Sequence, residues 1–273
     1  MAKKPTIGDV ARKIIEFIKT DRANLIPLHI FCNKFRDMVE FSDVVEYLGE
    51  YFVMRPLLSL FFNGDVIKQN ELTKETDRFI DVLYLGECLT VDDQAIIDNY
   101  YCKVKTNFTK SEKREDFTIE TFEEFLNLVN KARGDKNGIV FTPTEIIDFL
   151  VSSANYILQK DFGTTLNSDD VAICDPFTGI APFVTKLSEF TDEKHFLNNV
   201  VCNELVLFSY WIASLNIENT FYKKYGRYEP FKNISLSDTF RVYEDNQAKG
   251  LKKNLGRIEF TSDNCKTSKT GGG

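Results

Sequence analysis

From Ile7 to about Asn130, apolar residues recur at spacings of three and four, as in Val10, Ile14, Ile15, Phe17 and Ile18, the period of one helix face. Ile7-Gly8-Asp9-Val10 opens the first helix, with Asp9 expected as its N-cap. Further helices are expected over Asp43 to Phe52, Asn70 to Leu89, Val91 to Tyr101 and Ile119 to Ala132, with turns at Pro27, Pro56 and Asn63-Gly64.

The pattern changes after Gly134-Asp135-Lys136-Asn137-Gly138. Short apolar runs now alternate with helical stretches. Ile139-Val140-Phe141 leads into Thr142-Pro143-Thr144-Glu145, which reads as a capping box with Thr142 as N-cap and opens a helix from Pro143 to about Gln159. Val171 to Cys174 is expected as a short buried strand, Pro182 to Phe190 as a helix and Asn199 to Cys202 as a second strand. A helix from Leu205 to Leu215 and a third strand, Ile234 to Leu236, complete the order. It is that of the first half of a doubly wound α/β sheet. Arg257 to Phe260 offers a fourth strand, and the polar stretch from Thr261 to the three terminal glycines is expected to be a flexible tail.

Composition narrows the class. The 273 residues are 43% hydrophobic and 27% charged, enough for one large or two modest cores. No apolar run approaches the roughly 20 residues that span a bilayer, and nothing resembles a signal-peptide core, so a cytoplasmic location is expected. Cys32, Cys88, Cys102, Cys174, Cys202 and Cys265 include no C-x-x-C pair and have only His29 and His195 to join them. They read as reduced core thiols, with no metal site. A net charge of −7 excludes a uniformly basic surface. Local basic strips remain at Lys103-Val104-Lys105, Lys110 to Arg114, Lys223-Lys224 and Lys249 to Lys253.

The candidate chemistry sits where strands end. In a parallel sheet, ligands bind at the carboxyl ends of strands. The first strand runs into Asp175-Pro176-Phe177-Thr178-Gly179, where Gly179 lets backbone pass close to a ligand and Asp175 accepts hydrogen bonds from an amino group. Glu204 follows the second strand at the spacing of a ribose-binding carboxylate, or serves as an acid favoured at a helix N-terminus. Asp238 follows the third strand, placed to accept an adenine amino group, with Phe177 or Phe240 as a stacking face.

In order and residue type, Gly138-Ile139-Val140-Phe141-Thr142-Pro143-Thr144-Glu145, the Asp175 to Gly179 loop, Asn203-Glu204-Leu205-Val206-Leu207, Ile212 to Glu218 and Ser237-Asp238-Thr239-Phe240 resemble the N6-adenine methyltransferase core of type ISP (single-polypeptide type I) restriction-modification enzymes. Tyr51-Phe52-Val53-Met54-Arg55-Pro56-Leu57-Leu58 and Phe122 to Leu126 resemble the helical segment that precedes that core. The resemblance implies an α/β fold in which a helical coupler-like region (1–133) precedes the first half of a Rossmann-like class I methyltransferase sheet (134–260) and a tail (261–273). It implies S-adenosylmethionine as cofactor. Thr142 and nearby backbone would touch the methionine carboxylate, Asp175 and Gly179 the methionine portion, Glu204 the ribose, and Asp238 the adenine, with Pro176, Phe177 and Phe240 in the same cofactor site.

Two features depart from the family pattern. Ala181 stands where the family has a second glycine, and any positive φ there costs an alanine roughly 1 kcal/mol or more. The seven prolines include no adjacent pair, so the Asn-Pro-Pro-Tyr motif that holds the target amino group is absent. The implied activity is methylation of adenine in DNA, completed by a protein partner or second fragment. The alternatives are a non-catalytic methyltransferase-like subunit or decoy in restriction or anti-restriction, and an unrelated nucleotide-binding enzyme.

Overall fold

A computed structural model describes residues 4–36, 38–133 and 142–239. The helical region comprises α1 (Ile7–Phe17), α2 (Ile26–Cys32), α3 (Phe41–Met54), α4 (Leu58–Phe61), α5 (Gly64–Gln69), α6 (Glu71–Ile80), α7 (Val91–Lys110) and α8 (Arg114–Arg133). There follow α9 (Thr144–Ile157), β1 (Ile173–Asp175), α10 (Pro182–Leu187), α11 (Glu193–Asn199), β2 (Val200–Glu204), α12 (Leu207–Tyr225) and β3 (Ile234–Leu236). The described chain is therefore α/β: mostly helical, with a small parallel sheet in the order β1-β2-β3.

Helix α1 buries Ile7, Val10, Ala11, Ile14 and Ile15 against α3 and α8. A Cβ on Gly8 would lie 2.3 Å from the Leu128 carbonyl oxygen, so only glycine permits this approach of α1 to α8. The N-cap is Thr6 rather than Asp9. Asp9 is the third residue of a reciprocal capping box, receiving the Thr6 backbone N–H at 2.8 Å. Pro27 lies in the first turn of α2 and Asn63 caps α5, so two expected turns are helix starts. The stretch expected as one helix from Asn70 to Leu89 has Asn70 as N-cap and stops at Ile80. Beyond it Tyr84 adopts φ +49°, a left-handed conformation no continuous helix contains. Helices α7 and α8 run longer than their apolar faces suggested.

The capping box at Thr142 is not formed. Pro143 occupies the N-cap without a side-chain bond, and the Thr144 hydroxyl donates instead to Asp116 on α8 at 3.0 Å. Ile139 to Phe141, Phe240, the Lys249 to Lys253 strip, Cys265 and the Arg257 to Phe260 strand lie outside the described residues.

Both connections in the sheet step the same way, from β1 to β2 to β3. Right-handed crossovers then stack their helices on one face. That face, with Val200, Cys202, Glu204, Ile234 and Leu236, is buried. Cys174 and its register partner Val201 point the other way and are exposed, so β1 is not the fully buried strand expected. Of the cysteines expected in the core, Cys32 and Cys202 alone are buried among the described residues, and Cys88 is partly so. Cys102 and Cys174 are exposed.

Helix α12 joins the two regions. Trp211 is fully buried, donates its indole N–H to Thr73 Oγ1 at 2.8 Å and packs against Tyr47, Tyr51 and Phe208. Asn70, the cap of α6, donates to Ser214 Oγ at 3.0 Å and to Glu218 at 2.9 Å. Glu218 also accepts the Tyr228 hydroxyl and the Phe231 N–H, and burial pushes its carboxyl up to about 7.

Because that value lies above the ordinary 4.5, the folded state holds a proton that the unfolded chain releases, and stability declines as pH rises from about 4.5 through about 7. Glu218→Gln should flatten this decline, leaving the part due to the other carboxyls that burial pushes up: half-buried Glu123, to about 7, and Asp175 and Glu204. Urea midpoints measured between pH 5 and 8 check it, and an unchanged slope would contradict the assignment.

Candidate functional site

The three parallel strands bring Asp175, Glu204 and Asp238 to one edge of the sheet, at or just after the carboxyl ends of β1, β2 and β3. Register explains the alignment. Asp175 pairs with Cys202 and Glu204 with Leu236, so each loop leaves the sheet within a residue or two of its neighbour.

Glu204 is buried and its two carboxylate oxygens are engaged separately. Oε2 accepts the Gly179 N–H at 2.8 Å, and Oε1 accepts the Val206 N–H at 2.8 Å. The side chain thus closes the loop after β1 onto the loop after β2. Burial pushes its carboxyl up, and the backbone N–H donors draw it back toward the ionised form. A carboxylate offers about four lone-pair positions, so acceptor capacity remains for a ligand's hydroxyl.

Asp175 accepts the Phe177 N–H through Oδ1 at 3.3 Å, while its Oδ2 is buried without a hydrogen-bond partner. Burial pushes this carboxyl up too, moderated by the nearby Thr178 hydroxyl, which itself makes no aligned hydrogen bond. Native structures satisfy nearly all such atoms, so a buried acceptor and a buried hydroxyl left over side by side mark a place for a polar ligand.

The loop between β1 and α10 contains two left-handed residues, Gly179 at φ +57° and Ala181 at φ +68°. At Gly179 the conformation is free. At Ala181 it carries strain of about 1–2 kcal/mol, as the departure from glycine implied. The loop opens on a cavity of about 230 Å³ lined by Thr142, Phe177, Thr178, Gly179, Pro182, Phe183, Glu204 and Ser209, among others.

Of the residues expected at the site, Thr142, Phe177, Gly179 and Glu204 line this cavity. Asp175, Pro176 and Asp238 lie at the adjoining strand ends, and Phe177 is 62% exposed, an open ring beside the cavity mouth. Thr178, Phe183 and Ser209 were not singled out from sequence, nor was Asn203. The Asn203 carbonyl accepts the Thr178 N–H at 2.9 Å, and its side chain bonds residues 235, 237 and 239 after and within β3. The signal was present: Ser235, Ser237 and Thr239 alternate, placing three hydroxyls on the side of the chain that Asn203 faces.

Gly179→Ala tests the loop. The added methyl meets no atom within 4 Å, so only backbone strain acts. A loss of roughly 1–2 kcal/mol is expected in denaturant unfolding, together with displacement of the N–H that Glu204 accepts. An unchanged stability would contradict the conformation.

No protein-family model matches the chain, and no curated protein sequence does. Solved structures do match. The cryoEM structure of the DrdV–DNA complex aligns at 25% identity over 85% of this chain and 24% of that one, with a TM-score of 0.69. A nuclease-deletion mutant of the Type ISP restriction-modification enzyme LlaGI, in complex with a DNA substrate mimic, aligns at 25% identity over 93% and 22% of the two chains, with a TM-score of 0.61. The ATP-dependent Type ISP restriction-modification enzyme LlaBIII, bound to DNA, aligns at 27% identity over 87% and 18%, again with a TM-score of 0.61. The chain spans less than a quarter of each of these proteins. In fold and in sequence the chain is similar to a part of Type ISP restriction-modification enzymes.

Proposed function

We propose that this chain carries the S-adenosylmethionine-binding half of a DNA adenine-N6 methyltransferase in a restriction-modification system. The observation that carries the reading is the alignment of Asp175, Glu204 and Asp238 on successive parallel strand ends around the Gly179 loop.

The residues present fit the cofactor. The orphaned Asp175 Oδ2 and Thr178 hydroxyl suit the polar methionine portion, with Thr142 and its backbone toward the carboxylate and Pro176 shaping the turn. Glu204 retains acceptor capacity for the ribose hydroxyls. Asp238 would accept the adenine amino group, with Phe177 offering a stacking face. The bound cofactor supplies a methyl group on a sulfonium, already a good leaving group, so the protein's task is positioning. The similarity to DNA-bound restriction-modification enzymes supports DNA as the partner.

A protein partner or second fragment is proposed to hold the target adenine. Among the described residues, β1 has a neighbour on the β2 side alone, and Cys174 and Val201 leave one sheet face exposed. Parallel sheets are ordinarily covered on both faces, which supports a completing partner. The exposed sheet face equally suits a second reading, a non-catalytic binding subunit or decoy.

Calorimetry with S-adenosylmethionine tests the pocket. Binding by the wild type, weakened at least about tenfold in Glu204→Ala, is expected from loss of a charged hydrogen-bond acceptor. Equal binding by both proteins would remove the proposed pocket. Transfer of labelled methyl to adenine-containing DNA, measured alone and with lysate of the source cell, separates the two readings. Activity that appears on addition of lysate is expected for the split enzyme, whereas none in either condition favours the decoy.

A further inference from the structure

We infer that Asn203 is the positioning residue that lets the site discriminate the base of its nucleoside ligand, an inference that rests on the cofactor reading above. Its side-chain amide spends its whole hydrogen-bonding capacity on one segment. Nδ2 donates to the Ser237 carbonyl at 2.7 Å and to Thr239 Oγ1 at 2.5 Å, while Oδ1 accepts the hydroxyls of Ser235 at 2.7 Å and Ser237 at 2.6 Å.

The residue between these anchors is Asp238. The backbone ladder to β2 ends with the Ser237 N–H on the Glu204 carbonyl, at 3.0 Å. Beyond it, the chain is guided by the bond from Asn203 to Thr239 and by the Thr239 hydroxyl, which donates to the Pro176 carbonyl at 2.6 Å. Both neighbours of Asp238 are therefore pinned, one of them also to the loop after β1. The peptides on either side of the acid cannot turn independently, so its position at the strand-end edge of the sheet is fixed. An aspartate at 203 would not substitute, because a carboxylate oxygen would face the Ser237 carbonyl and a Thr239 oxygen whose proton is already committed to Pro176.

An acceptor held in place favours adenine, whose six-position carries an N–H donor, over hypoxanthine, whose six-position carries an oxygen. Binding of S-adenosylhomocysteine and S-inosylhomocysteine by the wild type, Asn203→Ala and Thr239→Val tests this by calorimetry, with unfolding midpoints recorded for each. The wild type should prefer the adenosyl ligand by at least about tenfold, the size of one hydrogen bond to a charged group. In Asn203→Ala the adenosyl affinity should fall by about that factor while the inosyl affinity changes little, so the ratio collapses. Thr239→Val, which keeps three of the four side-chain bonds of Asn203, should lower the ratio in the same direction and carries the test if the alanine variant does not fold. Equal weakening of both ligands, or a ratio unchanged in the folded variants, overturns the inference and leaves the cofactor reading standing. Failure of the wild type to bind either ligand overturns both.

Discussion

Helix α12 is buried on almost every side from Leu207 to Asn219, and a helix so placed must satisfy partners in opposite directions at once. One side covers β2 and β3; the other meets α3 and α5. Apolar packing around Trp211 supplies the attraction but little direction. Direction comes from polar pairs: the caps of α5 and α6, Asn63 and Asn70, bond Asn219, Glu218 and Ser214 of α12. The residues that start two helices of the helical region also fix that region's angle to the sheet. A buried polar network of this kind specifies one arrangement because any other leaves acceptors unpaired.

The same device recurs at the functional edge. Three loops leave the sheet at neighbouring points, and without side-chain links each would move separately. Glu204 ties the first loop to the second, and Asn203 ties the second to the third and, through Thr239, back to the first. The result is a ring of hydrogen bonds around a small cavity, built on a short sheet. Ala181, held at φ +68° and fully buried, shows that the packing overrides a local cost.

Much of this was legible in the sequence. The change from helical period to short apolar runs marks the start of the α/β part, and β3 falls where its pattern placed it because Ile234 and Leu236 are buried while Ser235 is not fully so. The acids were legible because a strand followed at once by a carboxylate is a local pattern. What escaped was set by contacts distant in sequence. Helices α4, α5 and α11 have seven residues or fewer and no independent periodicity. The capping box expected at Thr142 gave way to a bond from the Thr144 hydroxyl to Asp116, 28 positions away. Asn203 reads as an ordinary polar residue until β3 lies beside it.

The sheet edge, the ring of hydrogen bonds and the orphaned atoms of Asp175 and Thr178 converge on one claim, that a single ligand touches all three loops. Hydrogen–deuterium exchange with and without S-adenosylmethionine tests it directly. The account predicts slowed exchange together at residues 175–180, 203–206 and 237–239, with α1 to α7 unchanged. Unaltered exchange at these loops, or protection confined to the helical region, would contradict it.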